Sequence, residues 1–248
     1  MRLAVIADIH GNLPALEAVL ADIERRGIER IFNLGDSVSG PLWPRESCEL
    51  LMAREIPAVR GNHDRFVAQL APADMNWWDR LAFAELTGVQ RNWLNDTPVT
   101  RELDGGILAF HARPYDDERY LLEDIENGRL VPAPAEKVAA RLREIDAALL
   151  LCGHSHQQHM TRLPDGRLVV NPGSVGCPAY RDPSGISHVS ETRTPHARYA
   201  VIETADAGRT IEFIALDYDH AGAAKRAEAN GQPGWAHALA TGFVSRAA

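Results

Sequence analysis

Short apolar runs, each closing on glycine or a polar residue, recur along the chain. The first, Leu3–Ala7, reads as a buried strand. Apolar residues then fall at 15, 16, 19, 20 and 23, one face of a helix, with Asn12 as its N-cap and Pro14 in its first turn. Gly27 closes that helix and Arg30–Leu34 is the next strand. Strand, helix and strand in so short a span predict a parallel sheet.

The alternation continues. Pro44–Ala53 reads as a helix with Cys48, Leu51 and Met52 inward, and Ala58-Val59 as a third strand. Residues 67–96 read as helical, with a capping box at Thr87–Gln90. Trp77, Trp78 and Trp93 in this stretch read as packing residues, with a stacking platform for a base as the alternative. Val99–Leu103 and Ile107–Phe110 form a hairpin about Asp104-Gly105-Gly106. Residues 116–127 are acidic and weakly helical, Pro134–Ile145 a helix and Ala147–Cys152 a strand. The second half turns β-rich, at 168–171, 197–204 and 210–216, the last two joined by a turn at 206–208. A helix over 219–230, a Gly/Pro break and a short tail complete the chain. Without a repeat, linker or low-complexity tract, the chain reads as one domain over 1–248, with residues 217–248 as its C-terminal helix and tail.

Composition adds bounds. With 248 residues, 45% apolar, the chain can bury a core without staples. A formal net charge of −8 lacks the overall cationic footprint that strong nucleic-acid binding needs. Cys48, Cys152 and Cys177 are far apart and form no CxxC pair, so they read as reduced thiols of a cytoplasmic protein. The N-terminal apolar run is too short for a signal peptide, and no stretch has the length of a membrane span.

The residues just beyond each apolar run carry the chemistry. LAVIA leads to Asp8 and His10, RIFNL to Gly35-Asp36, and PAV to Arg60-Gly-Asn62-His63-Asp64. ILAF leads to His111, ALLLC to Gly153-His154-Ser-His156, and LVV to Asn171-Pro-Gly-Ser-Val-Gly176. Ligand sites of open α/β sheets lie beyond the carboxyl ends of the strands. Six strand ends therefore deliver imidazole, carboxylate and amide groups to one edge, more than one metal needs. Such a donor set, without thiolate, suits manganese, iron, zinc or nickel, and bridging carboxylates favour two ions. Asn62, His63 and Asp64 are each open to reading as ligands or as turn residues. His159, His188, His196, His220 and His237 show no such placement and read as surface or core residues.

The ordered series Asp8-x-His10, Gly35-Asp36, Gly61-Asn62-His63-Asp64, His111 and Gly153-His154-x-His156 resembles the signature of the calcineurin-like metallophosphoesterase superfamily. ADIHGN at 7–12 and NPGSVG at 171–176 are similar to its small prokaryotic phosphodiesterase-like branch. The resemblance runs to about residue 216. The chain departs from the branch in Ala-Arg after His111 and in Ser155 where threonine is commoner, and neither removes a ligand.

The resemblance implies an α/β fold, a two-sheet α/β/β/α sandwich. It implies that Asp8, His10 and His156 hold one divalent ion, that Asn62, His111 and His154 hold a second, and that Asp36 bridges them. Manganese is the expected ion, with iron, nickel, zinc or magnesium as alternatives. His63 is expected to face the substrate and protonate the leaving oxygen, while a metal-bridging hydroxide attacks in line. Asp64 is read either as orienting His63 or as closing the turn. Arg65 and Arg113 either grip phosphate or are surface charges.

The expected activity is hydrolysis of a small phosphate ester, most of all a phosphodiester, with no membrane partner. One rival is a protein or dinucleoside-polyphosphate phosphatase of the same superfamily, although those tend to carry extra arginines around GNHE, where this chain has GNHD. The other is a non-catalytic scaffold on this fold, for which the presence of His63 and all seven ligands would be superfluous.

Overall fold

The computed structural model describes residues 1–142, 144–205 and 208–245. In chain order the strands are β1 (Arg2–Ile6), β2 (Ile31–Asn33), β3 (Thr100–Leu103), β4 (Ile107–Phe110), β5 (Glu123–Glu126), β6 (Arg129–Pro132) and β7 (Leu149–Leu151). Then come β8 (Gln158–Arg162), β9 (Leu168–Pro172), β10 (Ala179–Asp182), β11 (His188–Glu191), β12 (Ala197–Ala205) and β13 (Gly208–Leu216). The helices are α1 (Leu13–Arg25), α2 (Pro44–Ala53), α3 (Asn62–Gln69), α4 (Trp77–Glu85), α5 (Gly88–Asp96), α6 (Ala135–Arg141), α7 (His220–Ala229) and α8 (Pro233–Thr241).

Two sheets make the sandwich. One has the order β13-β12-β1-β2, the other β3-β4-β7-β9-β8. Pairing is parallel in β1–β2, β4–β7 and β7–β9, while β12, β13, β3 and β8 add antiparallel edges. Side chains alternate across each strand, as the pleat requires. Leu3, Val5 and Ala7 join Phe32, Ile107, Ala109, Leu149, Leu151 and Val170 between the sheets. Ala4 and Ile6 face the other way, onto Leu16, Val19 and Ile23 of α1. Leu150, Cys152 and Val169 face outward from the second sheet onto Val138 and Leu142. Each central strand is thus buried on both faces, which is why it reads as a continuous apolar run. Truncating Phe32, 1% exposed, would cost on the order of 3–5 kcal/mol.

Several expectations need correction. The acidic stretch 116–127 is not helical. Its end is strand β5, hairpinned to β6 within a third sheet of order β10-β11-β6-β5. That sheet, with its short half-exposed strands, has no apolar periodicity to announce it. Ala58 makes only an isolated bridge to Asn33. Beyond the Gly/Pro break lies a further helix, α8, which Pro233 starts and Gly242 ends in a left-handed conformation (φ 75°). Asp206 and Ala207 of the expected turn lie outside the described residues. Among the described residues no helix is long and apolar enough to cross a membrane.

Candidate metal centre

The parallel strands all end at one edge, and the segments that continue them remain laced together. Asp8 N donates to Gly35 O (3.0 Å), His10 N to Asp36 O (2.9 Å), Gly153 N to His111 O (2.7 Å) and Gly176 N to Asp8 O (3.1 Å). The turns are tight enough to demand glycine at particular places. A Cβ on Gly61 would run into Asp36 Oδ1, and one on Gly176 into Ile9 O. Asp8, His10, Asp36, His154 and His156 all have positive φ, between 50° and 67°. Each such conformation costs on the order of 1–3 kcal/mol for a side-chain-bearing residue. Five of the eight non-glycine residues so placed, among those described, are at this one edge. Backbone strain concentrated in this way is characteristic of a functional edge.

Two donor groups result. Asp8, His10 and His156 bring their ligand atoms within 4.8 Å of one another, and so do Asp36, His111 and His154. Asp36 Oδ2 lies between the groups, 3.8 Å from His10 Nε2 and 3.3 Å from His111 Nε2. Asn62 Oδ1 is 3.1 Å from His111 Nε2. The seven expected ligands are therefore brought together.

The donor chemistry fits cations. His10 Nδ1 donates to Ser39 O (2.6 Å) and His156 Nδ1 to Cys177 O (2.7 Å), since a carbonyl can only accept. Burial, opposed by Asp36, brings the His10 imidazole down to about 4, and burial with the neighbouring His10 lowers His156 well below the ordinary range. Both rings are then neutral with unprotonated Nε2 atoms, and those atoms face each other at 3.2 Å. Two lone pairs brought together beside a carboxylate are a donor arrangement that suits a cation. Burial raises the Asp8 carboxyl to about 8, against the opposing charge of His111.

In the second group Asp36 is held well below the usual range: burial would raise it, but His111 and His63 outweigh that. Burial lowers His111 as well, yet Asp36 lifts it to about 10, so a proton sits where a metal charge would serve. His154 donates Nε2–H to Glu118 O (2.9 Å), leaving Nδ1 for the site, and burial with the His111 charge brings it to about 4.

His63 begins α3 beside Asn62 but points its ring elsewhere. Its Nδ1 donates to Asp79 Oδ1 of α4 at 2.8 Å. Burial is outweighed by the charges of Asp79 and Asp36, which lift this imidazole to about 9. Asp79 is fully buried and also takes hydrogen bonds from Ser39 Oγ and Asn76 Nδ2. Ser39 thus ties the two halves together, with its carbonyl on His10 and its hydroxyl on Asp79.

This corrects the reading of Asp64 as the orienting carboxylate. Asp64 Oδ2 accepts from the amides of Asp36 (2.8 Å) and Gly61 (3.1 Å), and Oδ1 from that of Ser37 (2.9 Å). It closes the turn and holds the Asp36 backbone. Asp79 escaped the sequence because Asn76-Trp-Trp-Asp79 reads as a helix cap followed by an acidic first turn, which it also is.

Arg65 and Arg113 are already engaged. Arg65 makes a bidentate pair with Asp117 (2.7 and 2.8 Å) and reaches Glu118 (2.6 Å). Arg113 donates twice to Tyr120 O. Both organise residues 113–120, whose Glu118 carbonyl holds His154 and whose Tyr120 ring lies 4.9 Å from the His154 ring. Tyr120 Oη meets Tyr180 Oη (2.8 Å) and His188 Nε2 (2.7 Å), so the third sheet supports the same corner.

Comparison with known proteins agrees with this geometry. A protein of Methanocaldococcus jannaschii without an assigned activity is 33% identical, with 94% of each chain covered. The crystal structure of a metallophosphoesterase from Sphaerobacter thermophilus superposes with a TM-score of 0.75 at 26% identity, covering 98% of this chain and all of that one. A hypothetical protein of Pyrococcus horikoshii gives 0.78 at 22% identity, covering 98% and 99%, and shares the fold. The sequence profile of the calcineurin-like phosphoesterase superfamily domain matches residues 1–194, which contain every residue of both donor groups, and the chain belongs to that superfamily.

Proposed function

We propose that this chain is a phosphodiesterase requiring two divalent ions, with manganese as the preferred metal. Asp8, His10 and His156 would hold one ion, Asn62, His111 and His154 the other, and Asp36 both. Bound ions of this kind supply charge neutralisation for the phosphoryl oxygens and a water acidic enough to act near neutral pH.

The protein's own part centres on His63. Asp79 takes its Nδ1–H, so Nε2 carries the second proton of the imidazolium, and the side chain remains 22% exposed. Water releases one proton to solvent and adds through oxygen to phosphorus, the ester P–O bond breaks, and the leaving alkoxide takes the Nε2 proton, which solvent then restores to His63. A diester carries a single negative charge and a poor leaving group, so it needs a proton donor more than it needs extra cations. The engagement of Arg65 and Arg113 elsewhere favours such a substrate over a dianionic monoester. The observation that carries the reading is His63 itself, an imidazole whose Nδ1 is held by the buried Asp79 carboxylate beside two donor groups.

His63→Ala should leave metal content unchanged and lower turnover of bis(p-nitrophenyl) phosphate by about 10²–10⁴-fold. The assay pairs manganese, nickel, zinc and magnesium with aryl mono- and diesters, cyclic nucleotides and dinucleoside polyphosphates. Full activity in the variant, or a wild-type preference for monoesters, sinks the assignment.

A further inference from the structure

The superfamily profile ends at residue 194, and none of the ligands comes from the C-terminal helices. Yet these helices are held firmly against the site. Asn230 Nδ2 donates to Pro41 O (3.0 Å) and Arg226 Nε to Leu42 O (3.1 Å), on the segment just after Asp36 and Ser39. Ala223, Ala227, Ala236 and Leu239 pack around Leu42. At the far end Arg193 N donates to Gly242 O (2.9 Å), and a Cβ at Gly242 would strike the Thr194 backbone.

The consequence is the position of Trp235. Its ring centroid lies 5.9 Å from that of His10, at 64°, and 6.1 Å from that of Trp78 on α4, at 61°. His10 belongs to the first donor group, and Trp78 precedes the Asp79 that holds His63. Both indoles are only half-buried. Two partly exposed indoles at a steep angle make a corner, where a flat ring can stack on one and meet the edge of the other. The His10 ring is itself 5.6 Å from His63, so the corner stands beside the donor of the leaving-group proton. Arg65 and Arg113 are engaged with Asp117, Glu118 and the Tyr120 carbonyl, which favours aromatic surface as the means of holding the rest of a substrate.

We infer that Trp235, with Trp78, forms a stacking subsite for a nucleobase, and that the preferred substrate is a nucleoside-bearing phosphodiester. This rests on the phosphodiesterase reading above. Trp235 is a specificity-determining residue supplied by the part of the chain outside the superfamily profile, which gives the α7–α8 pair its role.

The test compares three esters sharing one leaving group: thymidine 5′-(p-nitrophenyl) phosphate, phenyl p-nitrophenyl phosphate and methyl p-nitrophenyl phosphate. Trp235→Leu, which keeps an apolar side chain but removes the ring, should lower the thymidine-to-methyl ratio of kcat/KM about tenfold, and Trp235→Phe should restore most of it. A phenyl ester that loses as much as the thymidine ester would show a generic aryl site in place of a nucleobase site. An unchanged thymidine-to-methyl ratio in Trp235→Leu overturns the proposal. A second readout needs no turnover. AMP should quench tryptophan emission saturably in the wild type where ribose 5-phosphate does not, and the quenching should weaken about tenfold in Trp235→Leu. If no ester is hydrolysed with any of the four metals, the phosphodiesterase reading fails, and the AMP titration alone decides whether the aromatic subsite exists.

Discussion

The two donor groups lie on either side of the Asp36 carboxylate and differ in how their histidines are held. In the first, His10 and His156 are buried and anchored by the carbonyls of Ser39 and Cys177. In the second, His111 is anchored in the interior by Leu34 O, but His154 is only half-buried and leans on Glu118 O, in the surface segment 113–120. One group is fixed by the core of the sandwich. The other is completed by a loop that stays in place through ion pairs. The difference predicts a tight first site and a second site whose affinity can be tuned from the surface.

The largest effect should come from removing the carboxylate between them. Asp36→Asn should empty both sites and reduce activity by at least about 10²-fold. Elemental analysis that still finds two ions per chain would refute Asp36 as the common ligand.

Next is the carboxylate behind His63. Asp79→Asn should slow turnover by about 10–100-fold while both ions stay bound. The pH profile is the sharper readout. If protonated His63 is the donor, as proposed, activity should be lost as pH rises through its pKa. Burial lowers that pKa, and the charges of Asp79 and Asp36 lift it to about 9. Without the Asp79 charge the alkaline limb should move to lower pH. A limb that stays in place would mean that Asp79 only packs.

Much of this centre was legible in the sequence. Ligand atoms cluster at the ends of β1, β2, β4 and β7 because a parallel sheet brings its carboxyl ends to one edge, and apolar runs announce such strands. Long-range partners chosen by tertiary packing leave no such trace. Asp79 is sixteen residues from His63 and looks like a helix cap, whereas Asp64, next in sequence, is turned onto the amides of Asp36, Ser37 and Gly61. Helix α8 was hidden for another reason: its inward face is mostly alanine, which carries little periodic signal. Trp235 therefore looked like part of a tail.

Arg65→Ala probes the contrast between the groups directly. It leaves the ligands intact and removes the tie on residues 117–118. The second ion should bind about tenfold more weakly, with the first unaffected. Metal titration followed by calorimetry separates the two events, and equal weakening of both would erase the distinction.

The smallest effect distinguishes the two partners of Arg65. The Asp117 side chain is 13% exposed and takes both arms of the guanidinium, while that of Glu118 is 57% exposed and takes one. An exposed ion pair contributes about 0–1 kcal/mol, a bidentate and partly buried one more. Asp117→Ala should therefore approach the effect of Arg65→Ala, whereas Glu118→Ala should change second-site affinity by no more than about twofold. What Glu118 gives His154 is its backbone carbonyl, which the substitution leaves in place. If Glu118→Ala weakens the second ion as much as Asp117→Ala, the side-chain network, and not the position of the backbone, is what holds His154.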